Sequence, residues 1–381
     1  GSPENYRRVE DDYEHGFTRK NNEATYAFFQ KHLDLPGDPT EHTYPYLTKD
    51  ELTVTRTGQV STSLNCENAF SINRREAQSM LQSLAKSRRS LETHLPKILN
   101  EARRLSGFQS TTALHAEPVF RGQYQRSGYR VEKWGVQGEG DYILPTLMFV
   151  PDGAGPFPAI IYAHSEGKQA EAEVGGQLES LVKQGFAVAA VDLLGFGETR
   201  FYRTSGHANV QPFYNAQLAG RSVVGINAGD TLQVFEFLKQ RNDVLKEQVG
   251  AIAVGATGPA VLHSAAFEKN IDWVVLQESL SSYESIVQNE FYEVNANALV
   301  AGALSAYDLP DLIASLAPRK CAVSKARNHL DEPGDPAVTK ETLEVALNAY
   351  TTQRSEHKLL IARPDQSLVD LTKWCTRQDG D

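Results

Sequence analysis

The chain has 381 residues, of which 40% are hydrophobic and 23% charged, with a formal net charge of -10. That length supports one large domain or two smaller ones with an ordinary apolar core. The negative balance argues against nucleic acid or an anionic membrane as a partner, and no apolar run is long enough to span a bilayer. Cys66, Cys321 and Cys375 lie far apart with no CxxC, so neither a thiol-rich zinc site nor a disulfide framework is expected. The ten histidines form no HxH or HExxH pattern. No Gly-rich phosphate loop occurs, and neither a metal nor a cofactor is expected.

From Gly1 to about Phe70 the chain is polar and rich in Tyr, Asn, Asp, Thr and Pro. The spacing of Ala24, Ala27, Phe28 and Leu33 predicts a helix over Asn22 to Leu33, ended by Leu35-Pro36-Gly37-Asp38-Pro39. Glu51 to Thr55 and Gln59 to Thr62 alternate like short strands. From Asn73 to about Ser106 the residues favour helix and carry many charges. Pro96 marks a break or the first turn of a second helix, and Gly107 a stop. This stretch reads as a helical connector with a solvated basic face.

From about His115 the pattern changes. Apolar runs at 159–163, 187–191, 249–254, 271–276, 320–324 and 358–361 alternate with helical patterns near 174–184 and 229–240. Continuous apolar strands separated by helices predict a doubly wound, mostly parallel sheet covered on both faces, an α/β fold.

The run Val249 to Val261 reads as strand, tight turn and helix, and there the chain resembles the α/β-hydrolase family, whose nucleophile elbow is G-x-S-x-G. Gly255 matches the first glycine, Thr257 stands in the serine slot, and Pro259 replaces the last glycine. A threonine there is hindered by its γ-methyl group. Internal threonines also lack the N-terminal amine that activates most threonine nucleophiles. His164 and Ser165 follow a strand where the family places a His-Gly-like oxyanion loop. Gly258, opening the helix, completes the oxyanion candidates. Val191-Asp192-Leu193-Leu194-Gly195-Phe196-Gly197-Glu198 resembles the family's D-x-x-G-x-G turn, and 316–324 its L-A-P-R segment. The resemblance makes Asp331 the acid, with Asp335 as a rival; both also suit an exposed turn. The family's histidine follows the last strand, but 359–368 contains none, and His357 precedes that strand. Without an imidazole, no general base takes the hydroxyl proton.

Asp11 to Phe17, with the helix after it, resembles the other end of an α/β-hydrolase, placing His15 at the catalytic-histidine position of an x-H-G-[FY] loop. The layout is similar to bacterial acetylxylan-esterase-like proteins with tandem hydrolase halves. It implies that 1–70 is the tail of a preceding hydrolase-like domain, an N-terminal helical and irregular extension. It makes 71–110 a helical linker and 111–381 a degenerate α/β-hydrolase domain. The expected role is non-catalytic: supporting a catalytic half that precedes it, or holding polysaccharide. A well-formed Ser-His-Asp cluster anywhere in the structure would defeat that reading. Two rivals stand beside it. One is an active carboxylic-ester hydrolase with a composite Thr257, Asp331 and His15 site. The other is a carbohydrate-binding module with Tyr202, Phe213, Tyr214, Phe291 or Tyr292 along a groove. The resemblance also implies a periplasmic or secreted location.

Overall fold

The computed structural model describes residues 2–110, 113–201 and 210–377. It divides into two compact units, Gly1–Asn68 and Ala69–Asp381.

The first unit holds three helices, α1 (Arg19–Leu33), α2 (Lys49–Leu52) and α3 (Val60–Leu64), none with a buried residue. Thr18 caps α1 by accepting from the Asn21 N–H. The strands expected at 51–55 and 59–62 are instead parts of α2 and α3 and the turn between them. Thr48 and Glu51 form a reciprocal capping box that nucleates α2. Four or five alternating residues without a pairing partner have nothing to hold them extended.

The second unit begins with α4 (Ala69–Ser87) and α5 (Leu91–Ser106). These are the expected connector, yet Ile98 and Ala102 of α5 are fully buried in the core of the domain that follows. They form part of its wall rather than a free linker. The helix α5 also runs through Pro96 unbroken, because the buried face outweighs the missing N–H. Gly107 ends it in the left-handed conformation, φ 65°.

Among the described residues nine strands follow: β1 (Val119–Arg126), β2 (Tyr129–Gln137), β3 (Ile143–Pro151), β4 (Phe157–His164), β5 (Ala187–Val191), β6 (Val244–Val254), β7 (Trp273–Gln277), β8 (Lys320–Ser324) and β9 (Leu359–Ile361). They make one sheet in the order β1-β2-β3-β5-β4-β6-β7-β8-β9. The pairs β1–β2, β2–β3 and β3–β5 are antiparallel, and the rest are parallel. The later helices are α6 (Gln177–Lys183), α7 (Gln211–Leu218), α8 (Val223–Gln240), α9 (Gly258–Phe267), α10 (Glu284–Val287), α11 (Leu309–Ser315), α12 (Pro336–Thr342), α13 (Glu344–Thr352) and α14 (Leu368–Thr376). Buried side chains of α5, α8, α9, α11 and α13 pack on one face of the sheet, and those of α6 and α14 on the other. Covering both faces is why β5 and β7 are buried at every position.

Candidate functional site

In open α/β sheets ligands sit beyond the carboxyl ends of the parallel strands. A cleft of about 460 Å³ occupies that position here. Its walls follow the strand ends in turn: Ser165 and Glu166 after β4, Gly195, Phe196, Arg200 and Phe201 after β5, Gly255 and Ala256 after β6. Glu278 and Leu280 follow β7, and Arg327, Asn328 and Asp331 follow β8.

The apex of the strand–turn–helix at β6 is not where the motif match puts it. Gly255 is the first residue past β6, has φ +70° and lines the cleft. An elbow exposes its reacting group from a strained residue of this kind. Thr257, two positions on, is 1% exposed, and its hydroxyl donates to Ala163 O at 3.0 Å and Val254 O at 3.1 Å. Thr257, in the serine slot of the motif match, therefore has a buried hydroxyl that ties the turn to β4 and β6. The apex itself carries no side chain. A Cβ at 255 would lie 2.5 Å from Ser165 Oγ, so Ser165 fills the space that a nucleophile's side chain would need.

The oxyanion candidates are also committed internally. The Ser165 N–H donates to Val254 O at 3.1 Å. The Gly258 N–H donates to Gly255 O. His164 accepts the Glu166 N–H on Nδ1 at 2.9 Å. A backbone N–H only donates, so in the neutral ring the proton sits on Nε2 and the basic nitrogen is occupied. Burial lowers the His164 pKa, against the Glu166, Glu171 and Glu278 charges that raise it.

Asp331 lines the cleft as an exposed residue with φ +56°, and its carbonyl accepts from Arg327 Nη1 at 2.9 Å. Its rival Asp335 is a helix cap, accepting the Ala337 N–H at 2.7 Å at the start of α12. The segment after β9, where the family's histidine belongs, contributes nothing to the cleft walls, and no histidine lines the cleft among the described residues. His15 is exposed in the N-terminal unit.

Of the aromatic candidates, Tyr202 lies outside the described residues. Phe213 and Tyr214 on α7 pack edge to face at 5.5 Å, and Phe291 and Tyr292 are exposed. None of these four lines the cleft; its aromatics among the described residues are Phe196 and Phe201, beside Gly195 and missed in the sequence. Also missed was the ion pair of Arg327 Nη2 with Glu278 Oε2, 2.5 Å. The sequence signal for that pair was faint: Glu278 directly follows the apolar run of β7, at φ +54°.

One Ser–His–Asp chain does occur, away from the cleft walls. Ser87 Oγ lies 2.9 Å from His94 Nδ1, and His94 Nε2 lies 2.9 Å from Asp311 Oδ1. The Arg88 guanidinium adds two hydrogen bonds to the same carboxylate, each 2.8 Å. His94 and Asp311 are buried. An acid saturated by a guanidinium, and an imidazole closed off from any substrate, make a clamp between α4, α5 and α11 rather than an active site.

No family model matches the chain. A protein assigned as an acetyl xylan esterase from Bacteroides fragilis superposes with a TM-score of 0.56 at 18% identity, over 83% of this chain and 84% of that one. A methylesterase superposes at 0.55 and 17% identity, over 76% of this chain and 64% of its own. In sequence, the Bacillus subtilis (strain 168) protein YtaP, assigned as a hydrolase, is 27% identical over 129 residues. That match spans 31% of this chain and only 42% of the relative. The mixed nine-stranded sheet, its order and these superpositions define an α/β-hydrolase fold. Within that fold the similarity is to proteins of the esterase and hydrolase type.

Proposed function

We propose that the second unit is a non-catalytic α/β-hydrolase domain of a carbohydrate-esterase-like protein. Its cleft would hold polysaccharide, or its body would support a catalytic half. The observation that carries this reading is Gly255 at the elbow apex, with Ser165 in the vacated space. A missing nucleophile side chain, with no cleft-lining imidazole among the described residues, removes both partners of the first proton transfer.

Two features bear on the choice of role. The cleft mixes the Arg327–Glu278 pair and asparagines with Phe201, Leu280 and Val294, a wall suited to a polar ligand with an apolar face. The N-terminal unit buries no residue in its helices while exposing large apolar side chains, among them Phe17, Tyr46 and Val54. Such a surface favours a protein partner, and a preceding hydrolase half is the partner proposed.

Hydrolysis of p-nitrophenyl acetate by the purified chain tests the first claim. Rates at buffer background, unchanged in Ser165→Ala and Thr257→Ala, are expected. Turnover above background that either variant abolishes would overturn the non-catalytic reading. Calorimetric titration with xylo-oligosaccharides then tests the holding role, and silence at millimolar sugar would leave only the supporting one.

A further inference from the structure

Behind the cleft turn lies a neighbourhood that the fold does not satisfy with hydrogen bonds. Glu139 Oε2, Asp230 Oδ2, Asn227 Oδ1 and Arg221 Nε are all buried without a partner. Hydrogen bonds and close approaches bring these residues together. Asp230, fully buried on α8, accepts on Oδ1 from Tyr142 Oη at 2.7 Å and from the Glu139 N–H at 2.9 Å. The Glu139 carboxylate is bonded through Oε1 to Arg221 and rests on α8 at Gly229, where a Cβ would come within 2.5 Å of Oε2. Asn227, one turn before Asp230, donates to Leu194 O at 3.1 Å.

The charge count is unbalanced. Of the two buried carboxyl groups only Glu139 is paired with a guanidinium, that of Arg221, and each keeps one oxygen with no hydrogen-bond partner. An ionised oxygen left that way is costly, and burial normally ends in pairing or neutralisation. The orphan oxygens are closed to solvent, which favours the partner that needs least room. We propose that Asp230 and Glu139 hold a single proton between them. This shared proton latches the β2–β3 turn onto the start of α8, beneath the cleft turn Leu194–Phe196.

The surroundings agree. Burial first, and the Glu139 charge after it, push the Asp230 carboxyl up to about 7, against the Glu139 N–H, Tyr142 Oη and the Leu194 backbone, all of which favour its ionised form. Burial also raises Glu139, opposed by Arg221 and His115. The titratable and charged groups facing the pair are Tyr142 from the β2–β3 turn, Arg221 from the residues just before α8, and His115. The ring of His115 bonds Gly138 O at 3.0 Å. When the proton leaves, two carboxylates face one guanidinium and the latch loosens. Asn227 carries the effect to Leu194, whose neighbours Gly195 and Phe196 line the cleft. None of this depends on whether the cleft turns over esters.

The sign follows from the raised acid. The folded state binds the extra proton between about pH 4 and pH 7, so this group's contribution to stability is greatest at low pH and falls across that window. Melting of the full chain and of Asp230→Asn from pH 5 to 8 is the test. The wild-type advantage in Tm should shrink as pH rises to 7 and then level off. In Glu139→Gln, the fall should move to lower pH. A pH-independent difference would overturn the shared proton. Should Asp230→Asn fail to fold, a carboxyl-carbon NMR titration of the wild type decides. One Asp carbon should titrate near neutrality and move down in Glu139→Gln; its absence would refute the pair. Hydrogen exchange at 194–196, corrected for intrinsic rate, should be faster at pH 8 than at pH 6. No change there would overturn the latch.

Discussion

Two places in the domain invite a search for serine, histidine and carboxylate chemistry, and they fail in opposite ways. The cleft has the position: it lies at the carboxyl ends of the parallel strands, open, with Asp331 on its wall. It lacks the residues, since Gly255 stands at the apex and no histidine lines it among the described residues. The clamp of Ser87, His94 and Asp311 has the residues, in hydrogen-bond order, and lacks the position. Its imidazole is closed off and its acid is neutralised by Arg88. A catalytic triad is thus defined by access and an unsatisfied acid–base balance as much as by composition.

The contrast is sharpest in stability. Asp311→Ala should cost about 3–5 kcal/mol, the usual effect of stranding a buried charge partner, because Arg88 and His94 lose their shared acceptor. Asp331→Ala, at an exposed turn where φ +56° suits alanine less well than aspartate, should cost about 1 kcal/mol or less. Urea melts of both variants check this, and equal losses would erase the distinction. The pH sign also differs from that of Asp230. Burial pushes the Asp311 carboxyl up, but His94 and Arg88 outweigh it and hold it below its ordinary value. Its stabilisation is therefore full above about pH 4 and is lost as pH falls further. The Tm gap between wild type and Asp311→Asn should be flat from pH 5 upward and narrow below pH 4.

Next in size is the elbow. Thr257→Val should cost about 1–3 kcal/mol by leaving the Ala163 and Val254 carbonyls with one donor fewer in a buried turn. It should do so with no change in p-nitrophenyl acetate hydrolysis. Gly255→Ser should cost about 1–2 kcal/mol for a side chain at φ +70°, and more from the contact with Ser165. Adding Ser165→Gly should recover the contact part only. A Gly255→Ser protein as stable as wild type would mean that the apex is not held as described.

These two residues also mark where sequence reading stopped. The parallel half of the sheet was legible because its strands are continuous apolar runs; β5 and β8 coincide with 187–191 and 320–324 to the residue. The antiparallel β1 was not, since VFRGQYQR is largely exposed and carries no apolar run. At the elbow, Gly255-Ala256-Thr257-Gly258 imitates the motif two residues out of step. Only the end of β6 at Val254 and the positive φ at Gly255 show which residue is the apex. The absence of a histidine after β9 was legible, because it needed no register finer than the strand itself. The clamp was invisible because Ser87 and His94 meet an acid more than two hundred residues away, and the cleft's Arg327–Glu278 pair left only the faint trace of an acid directly after an apolar run.

The smallest effect separates the two places most directly. Ser87 is half-buried and hydrogen-bonded to a single ring nitrogen. Replacing it by alanine leaves the Asp311 contacts of Arg88 and His94 in place, so the expected loss is about 0.5–1.5 kcal/mol, that of one hydrogen bond. Were the chain a displaced active site, the same variant would abolish whatever ester hydrolysis the protein performs while barely moving its melting point. The clamp reading expects the reverse: a small, measurable drop in Tm and p-nitrophenyl acetate hydrolysis unchanged from wild type. Because Ser87→Ala leaves the fold intact under either reading, the ratio of lost activity to lost stability decides between them without the ambiguity of an unfolded variant.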